Sequence, residues 1–338
     1  MANLTRRNTE PPGNVDAMPP SSVLITEEGP REGFQIEKGP IPTARKVELI
    51  DALSDTGLTR IQVASFVSRK QVPGMADADD IARQIRIKPG VEYTALWFND
   101  AGLERARAGG RLTLEGKVRV YPSDAFLKRN INRTPEQHLA HTHGEIARFK
   151  ELGIPVRDAS VSSAFGCNFQ GDIPLARVVE CVGQLLDLAR EHAVHFEKIS
   201  LADTMAWATP HAVKRMIGAV REAYPDAPLS LHLHDTRGMG IANVYAGLEL
   251  GIAKFDAAVG GLGGCPFAAH KGAAGNVCTE DLVFLCQEMG IETGVDLDAL
   301  IACAQLAEDI VGHPLPGSIK QGGNLARLRE AARDAARA

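Results

Sequence analysis

Eight short runs rich in β-branched and aromatic residues alternate along this chain with longer stretches of helical spacing. The predicted strands are residues 23–25, 60–64, 91–96, 117–121, 157–162, 197–201, 229–234 and 254–259. The predicted helices are residues 43–55, 77–86, 100–109, 135–151, 174–191, 210–222, 239–250 and 279–289. Eight βα units over about 250 residues are typical of a (β/α)8 TIM barrel. A doubly wound sheet is disfavoured, because no GxGxxG follows the first strand. We therefore predict an α/β TIM barrel with its chemistry at the C-terminal ends of the strands.

The two ends of the chain differ in composition from the part between them. Residues 1–20 are rich in Pro, Asn and Arg and are predicted to form a disordered tail. Residues 21–320 are predicted to form the barrel domain, in which residues 290–320 add a helical segment outside or over the barrel. Residues 321–338, rich in Arg and Ala, are predicted to form a C-terminal helical tail.

The composition of the chain indicates which kinds of partner it can bind. Hydrophobic residues make up 44% of the chain and charged residues 23%, as in a globular protein with a substantial core. The net charge is -5 and basic residues are scattered, which argues against nucleic acid but permits an anionic substrate. Six cysteines without a CxxC pair indicate reduced thiols. With no apolar signal segment and no run of about 20 apolar residues, we expect a cytoplasmic protein without membrane attachment.

A His-x-His pair lies near the end of the seventh predicted strand. Alternation along a strand places His232 and His234 on the same face, about 6.5–7 Å apart along the strand. Two imidazoles that converge at the catalytic end of a barrel form half of a metal site. The alternative is a pair of core histidines bonded to neighbouring carbonyl groups.

Charged and polar residues follow the first strand. Gly29-Pro30 is predicted to stop that strand and Gly33 to permit a tight turn, which presents Arg31 and Glu32 at the barrel mouth. A carboxylate beside a guanidinium suits a site where one binds metal and the other stabilises an oxyanion. A surface ion pair is the alternative.

A glycine-rich segment with a cysteine follows the eighth strand. Four glycines precede Cys265, which predicts a mobile loop able to bring the thiol over the barrel mouth. A thiol with a lowered pKa can act as a general acid or base, although a packing role is the alternative. The amide oxygen of Asn276, just before the next helix, could be a neutral metal ligand.

Taken in order, these motifs resemble the 3-hydroxy-3-methylglutaryl-CoA (HMG-CoA) lyase family of metal-dependent retro-Claisen TIM barrels, over residues 23 to 310. The matching motifs are residues 29–35 (GPREGFQ), 65–68 (SFVS), 128–132 (KRNIN), 201–204 (LADT), 232–236 (HLHDT), 261–266 (GLGGCP), 275–276 (GN) and 279–281 (TED). Any single motif would be weak, but together and colinear they identify the family.

The resemblance implies a set of site residues. It implies that Mg²⁺ or Mn²⁺ is bound by Glu32, His232, His234 and Asn276. It implies catalytic roles for Arg31, Cys265, Asp203, His232 and Glu280. It also implies substrate contacts from Arg31, Gln35 and Gln62, and a CoA contact from Lys38. It also implies an acyl-CoA substrate, a homodimer and a place in leucine degradation. In the implied reaction, Asp203 or His232 removes the proton of a tertiary hydroxyl and the bond between C2 and C3 breaks. Acetyl-CoA and a ketoacid result, with Arg31 stabilising the thioester oxyanion and Cys265 relaying a proton.

Three departures from the family pattern leave the acyl group open. Glu32 stands where the family usually has Asp, and Gln62 stands where it usually has Glu. The loop after Cys265 is two residues longer, near His270 and Lys271. The substrate is thus expected to be HMG-CoA, a close 3-hydroxy-3-alkylglutaryl-CoA or another 3-hydroxyacyl-CoA.

Two other functions fit the same sequence. A Claisen-type synthase would form the carbon–carbon bond, although the Gly-Gly-Cys-Pro motif favours the lyase. A non-catalytic relative that only binds acyl-CoA is suggested by Glu32 and Gln62 together, but Arg31, both histidines and Cys265 remain.

Overall fold

The computed structural model describes residues 18–37, 39–264 and 275–337, and its centre is an eight-stranded parallel sheet. The strands are β1 (Leu24–Glu27), β2 (Arg60–Ser65), β3 (Glu92–Leu96), β4 (Gly116–Val120), β5 (Val156–Val161), β6 (Lys198–Ala202), β7 (Leu229–His232) and β8 (Lys254–Ala257). Their order is β3-β2-β1-β8-β7-β6-β5-β4. Because the first strand pairs with the last, the sheet curls into a barrel, and the predicted α/β TIM-barrel fold is confirmed.

Helices connect these strands and follow the last one. They are α1 (Gly29–Ile36), α2 (Thr43–Ser54), α3 (Ala78–Gln84), α4 (Asp100–Ala108), α5 (Asp124–Ile131), α6 (Pro135–Glu151), α7 (Leu175–His192), α8 (Pro210–Ala223), α9 (Gly240–Glu249), α10 (Thr279–Glu288), α11 (Leu297–Val311), α12 (Ile319–Gly322) and α13 (Leu325–Ala335). All eight predicted strands and all eight predicted helices occur, with ends within two residues of the prediction. The apolar core lies between the sheet and the helices, as alternation along the strands requires.

The inner face of the barrel carries charged side chains, where branched apolar residues are usual. Arg60, Asp158, Lys198 and Asp256 are all buried there. Asp158 Oδ2 lies 3.2 Å from Arg60 Nη2 and 3.6 Å from Lys198 Nζ, while Lys198 Nζ lies 2.8 Å from Asp256 Oδ1. A chain of ion pairs therefore crosses the lumen from β2 to β8.

The segment after β1 corrects one prediction. Instead of a tight turn, residues 29–36 form helix α1, which carries Arg31 and Glu32. Pro30 lies in the first turn, where a missing N–H costs no helical hydrogen bond. Gly33 serves close packing, since a Cβ there would lie 2.7 Å from the Cβ of Leu262.

Two further differences concern element ends. Helix α5 was not predicted; the side chain of Ser123 accepts a hydrogen bond from Phe126 N at its start, and Asn132 ends it in a left-handed conformation. Strand β7 ends at His232, and not at His234 as predicted. His234 instead forms an isolated bridge with Asn276.

The last helices contact the barrel near its first and last strands. Helix α11 packs against α2 and against the 3₁₀ turn Val259–Gly261 that follows β8. Helix α13 has no buried residue. Among the described residues, no helix has the length and apolar character needed to cross a membrane.

Replacing Gly33 with Ala is expected to destabilise the fold by about 1–3 kcal/mol, because the new methyl group would overlap Leu262. The matched control is Gly144→Ala in helix α6, where nothing lies within 4 Å of an added Cβ. The control should stabilise the protein by about 0.5–1 kcal/mol. Urea unfolding of both variants measures the difference, and equal stabilities would contradict the packing assigned to Gly33.

Candidate active site

Three predicted metal ligands meet at the mouth of the barrel. The Nε2 atoms of His232 and His234 are 3.3 Å apart, and His234 Nε2 is 3.9 Å from Glu32 Oε1. One ligand atom from each of the three residues lies within 4.8 Å of the others. Two neighbouring ligands of an octahedral ion with bonds of this class are about 3 Å apart. The two histidines therefore have the spacing of ligands to one ion.

Asn276 completes an oxygen and nitrogen donor set. Backbone hydrogen bonds from Val277 N to Leu233 O (3.0 Å) and from Asp235 N to Gly275 O (2.7 Å) hold it beside His234. Its Nδ2 donates to Leu262 O at 3.1 Å, which leaves Oδ1 buried without a hydrogen-bond donor. Glu32 Oε2 is also buried, and its partner is the guanidinium of Arg31, whose Nη2 lies 3.2 Å away. A buried amide oxygen without a donor and a buried carboxylate, beside two imidazoles, fit a bound divalent cation.

The charges around this set keep Glu32 and His234 in their metal-binding forms. Burial alone would raise the pKa of Glu32, but Arg31, His232 and His234 together lower it to about 2. Burial and the neighbouring His232 lower the pKa of His234 to about 4. A carboxylate and a neutral imidazole at neutral pH are the protonation states that a metal ligand needs.

Arg31 is held by three side chains. Its Nη2 lies 2.6 Å from Glu28 Oε2 and 3.2 Å from Glu32 Oε2, while its Nε donates to the amide oxygen of Gln62. Gln62, which replaces an acid of the family pattern, thus still accepts from the guanidinium. Gln35 lies nearby on α1, where its Oε1 accepts from Ser65 Oγ at 3.0 Å. The structure therefore brings Arg31, Glu32 and Gln62 together at one place.

Two residues that the sequence did not single out hold His232. Its Nδ1 lies 3.4 Å from Asp256 Oδ2 and 3.7 Å from Glu28 Oε2. A carboxylate at the second nitrogen orients a histidine so that the first nitrogen faces a metal. Glu28, His232 and Asp256 also form a possible metal cluster, but Glu28 is paired with Arg31 and Asp256 with Lys198. Asp256, a charged residue between the apolar Phe255 and Ala257 of β8, was the available sequence signal.

Asp203 follows β6 next to His232, whose carbonyl accepts from Asp203 N at 2.8 Å. Its Oδ1 accepts from Trp207 N (2.7 Å) and Ala208 N (2.9 Å), whereas Oδ2 is buried without a donor. Burial raises the pKa of Asp203 to about 7. A carboxyl with this pKa exchanges a proton readily near neutral pH.

Glu280 and Glu27 support the segment after β8. Glu280 Oε2 accepts from Gly260 N at 2.9 Å. Glu27, also missed from sequence, accepts from Gly29 N (2.7 Å), Val259 N (3.0 Å) and Thr279 Oγ1 (2.6 Å). The contacts of Glu280 are thus with the 3₁₀ turn, and it belongs to none of the metal-binding clusters of the described residues.

Lys38 and Cys265 lie outside the described residues. The ends of the segment that contains Cys265 are described, and they meet at the metal-binding set. A Cβ on Gly263 would lie 2.7 Å from Asn276 Nδ2 and 2.8 Å from Glu32 Cγ, and one on Gly264 would lie 3.1 Å from Gly275 Cα. The chain therefore leaves and returns beside Glu32 and Asn276.

Comparison with known proteins agrees with the motifs. The family model described as HMGL-like matches residues 22–307. The chain belongs to this family. It is 40% identical to the cytoplasmic 3-hydroxy-3-methylglutaryl-CoA lyase of Mus musculus over 91% of this chain and 87% of that protein. An HMG-CoA lyase of Bacillus subtilis has a TM-score of 0.81 at 36% identity, covering 89% of this chain and 97% of that one. An HMG-CoA lyase of Acinetobacter baumannii, solved with coenzyme A and 3-methylmalate, has a TM-score of 0.79 at 37% identity, covering 90% and 96%.

Membership of this family makes the chain an enzyme of the carbon–carbon lyase class, as the motifs predicted. The match runs over nearly the whole barrel, from before β1 to within α11. It therefore includes every predicted site residue.

The pKa of Glu280 makes the folding stability of the protein depend on pH. Burial raises it to about 8, above the ordinary 4.5. Its stabilising contribution is therefore complete below pH 4.5 and is lost as the pH rises toward 8, at up to about 1.4 kcal/mol per pH unit. In the metal-free protein, Glu280→Gln should show a smaller fall in unfolding free energy than wild type over this range. Parallel urea titrations at several pH values test this, and identical slopes would contradict it.

Proposed function

We propose that this protein is a divalent-metal-dependent acyl-CoA lyase that cleaves HMG-CoA, or a close 3-hydroxy-3-alkylglutaryl-CoA or 3-hydroxyacyl-CoA, to acetyl-CoA and a ketoacid. The observation that carries the proposal is the convergence of Glu32, His232 and His234 beside the guanidinium of Arg31. The names of the relatives support the substrate class, and the lyase of Acinetobacter baumannii binds coenzyme A.

Glu32, His232, His234 and Asn276 would hold the metal. Two imidazole nitrogens with a carboxylate and an amide oxygen suit Mg²⁺ or Mn²⁺ and leave room for a chelating substrate. A divalent ion there would lower the pKa of the substrate's tertiary hydroxyl and hold its carboxylate. The side chain of Glu32, longer than the usual Asp, is carried by helix α1.

Asp203 is the better candidate for the base that removes the hydroxyl proton. Its Oδ2 has no hydrogen-bond donor, and its pKa of about 7 suits proton transfer near neutral pH. Both nitrogens of His232 already have partners, since Nδ1 faces Asp256 and Nε2 faces the metal-binding set. His232 therefore acts as a ligand in this proposal, and Asp203 as the base.

Loss of the hydroxyl proton drives cleavage of the bond between C2 and C3. The oxygen becomes the carbonyl of the ketoacid, and the electron pair passes to the thioester as an enolate of acetyl-CoA. Arg31, fixed by Glu28 and Gln62, would stabilise the enolate oxygen. Cys265 would deliver the proton to C2, since its segment begins and ends beside Glu32 and Asn276.

We further propose Mg²⁺ or Mn²⁺ as the native metal, a contact of Lys38 with CoA and a homodimer. The proposal also includes a cytoplasmic location and a role in leucine degradation. The supporting role of Glu280 is proposed to act through the turn at Gly260. Mass spectrometry of products from a panel of 3-hydroxyacyl-CoA thioesters tests the reaction itself. A panel in which no thioester yields acetyl-CoA would overturn the proposed function.

Removing one imidazole tests the metal site. His234→Ala is expected to weaken Mn²⁺ binding at least about 100-fold, because one of few protein ligands is lost, and to abolish acetyl-CoA release from HMG-CoA. Electron paramagnetic resonance of free Mn²⁺ measures the affinity. The control is His143→Ala, a histidine that bonds His192 at 2.8 Å between α6 and α7. Unchanged Mn²⁺ affinity in His234→Ala would sink the metal assignment.

Removing the thiol separates metal binding from proton transfer. Cys265→Ala is expected to lower turnover of HMG-CoA by about 10²-fold or more with Mn²⁺ affinity intact, as for loss of a general acid–base group. The matched control is Cys278→Ala, a buried thiol. Stopped assays for acetyl-CoA compare the two variants, and wild-type turnover in Cys265→Ala would exclude the thiol from the reaction.

A further inference from the structure

Strand β4 presents two cations to the inside of the barrel. Val118 and Val120 are buried in the apolar core on its outer face. Because side chains alternate along a strand, Lys117 and Arg119 point to the opposite face, into the lumen. Charge interactions agree with this direction, since Lys117 is influenced by Glu28 of the β1 end, Asp256 of β8 and Lys198 of β6. Groups from the other side of the barrel therefore face Lys117.

The other cations of the lumen have counter-charges, and these two do not. Arg31 pairs with Glu28, Arg60 with Glu115, and Lys198 with Asp256. In the described part of the chain, neither Lys117 nor Arg119 forms an ion pair; the nearest acids act on them only at longer range. Both side chains are half-buried, and a cation that is partly removed from water is costly unless an anion lies against it. Two such cations side by side indicate that an anion joins them during function.

The pKa values of these groups agree with the missing counter-charge. Burial lowers the pKa of Lys117 and of Arg119 below their usual values. Burial opposes the charge of Lys198 as well, but Asp256 and Asp158 raise its pKa above the usual value. The contrast supports the geometry, in which Lys198 is satisfied within the protein and the β4 cations are not.

The lumen between Arg119 and the metal-binding set is polar and lined by small side chains. Arg119 is in register with Ser160 of β5, which is in register with Ser200 of β6 and then Ser230 of β7. Ser230 lies two residues before His232 on the same face of β7. The hydroxyls of Ser200 and Ser230 are buried without a hydrogen-bond partner in the described residues. This row of serines connects the cation pair with the metal-binding set across the barrel.

Arg119 lies at the end of the barrel where the substrate enters. It is the penultimate residue of β4, and its guanidinium carbon is 5.3 Å from the centre of the Phe98 ring, just after β3. Arg31 of α1 and Glu28, just after β1, are among the charges that act on it. An acyl group held at the metal-binding set would therefore have Arg119 on its far side.

We propose that Lys117 and Arg119 form an anion subsite, which selects acyl-CoA substrates with a second carboxylate on the substituent that is methyl in HMG-CoA. This inference rests on the proposed lyase function. The hydroxyl and the first carboxylate of the substrate are bound at the metal-binding set, while the second carboxylate reaches across the lumen to Arg119. A planar guanidinium binds a carboxylate through two parallel hydrogen bonds, and Lys117 behind it adds positive charge.

The chemistry balances without any further reactant. In 3-carboxymethyl-3-hydroxyglutaryl-CoA, the hydroxyl proton leaves, the C3 oxygen becomes a ketone and the C2–C3 bond breaks. The bonding electrons form the enolate of acetyl-CoA, which takes up one proton at C2. The products are acetyl-CoA and 3-oxoglutarate, a dicarboxylate. The reaction differs from cleavage of HMG-CoA only in the carboxylate that the substituent on C3 carries.

The test compares two thioesters on the Mg²⁺-loaded enzyme, HMG-CoA and 3-carboxymethyl-3-hydroxyglutaryl-CoA. For wild type, kcat/KM is expected to be at least about 10-fold higher with the dicarboxylate. Arg119→Met should lower kcat/KM for the dicarboxylate by about 30-fold or more, the loss of a charge-assisted contact, and change that for HMG-CoA less than about 3-fold. Arg119→Lys keeps the charge and should retain part of the preference, and Lys117→Met should lose an intermediate amount.

Thermal unfolding shows whether the Arg119→Met variant is correctly folded. Because Arg119 has no counter-charge, Arg119→Met should unfold at the same temperature as metal-free wild type or above it. Equal losses with both thioesters, or a wild-type preference for HMG-CoA, would overturn the subsite while the proposed lyase function stands. Failure of wild type to cleave either thioester would overturn both. Cleavage of the dicarboxylate with an Arg119-dependent preference supports both.

Discussion

The site depends on one buried ion pair, between Lys198 of β6 and Asp256 of β8. Asp256 lies between that ammonium and the ring of His232, so it joins the charge network of the lumen to the metal-binding histidines. Removing either partner of a buried pair leaves an uncompensated charge, which costs far more than the pair contributes. Lys198 also reaches Asp158, and through it Arg60, so the pair couples four strands of the barrel. The position of the His232 ring therefore depends on the charge network of the lumen.

Most of the fold could be predicted from sequence, because strand and helix periods leave strong local signals. The His232-x-His234 pair and the Arg31-Glu32 motif also predicted which side chains meet at the barrel mouth, since parallel strands bring their C-terminal ends together. Helix α1 was missed because Gly29-Pro30 resembles a turn until the packing of Gly33 on Leu262 is known. The chemistry of a motif can be predicted from sequence, whereas the tertiary contact that selects a helix over a turn cannot.

The lumen charges were harder to predict, for a different physical reason. Asp256 and Lys198 stand far apart in sequence and become partners only through the strand order β8-β7-β6. Lys117 and Arg119 likewise gave no motif, and only the alternation of β4 against its apolar outer face shows that they point inward. The charges in the barrel interior are paired near the metal-binding set, whereas the cations opposite it are unpaired. This distribution of charge favours a substrate with anionic groups at both ends of its acyl part.

In the proposed site, His232 and His234 bind one divalent cation together. Electron spin echo envelope modulation of the Mn²⁺-loaded protein, produced with ¹⁵N-labelled histidine, detects such binding. The expected result is coupling of Mn²⁺ to nitrogens of two histidine rings, with one ion bound per chain. Mn²⁺ that binds with no histidine nitrogen in its coordination sphere would contradict it.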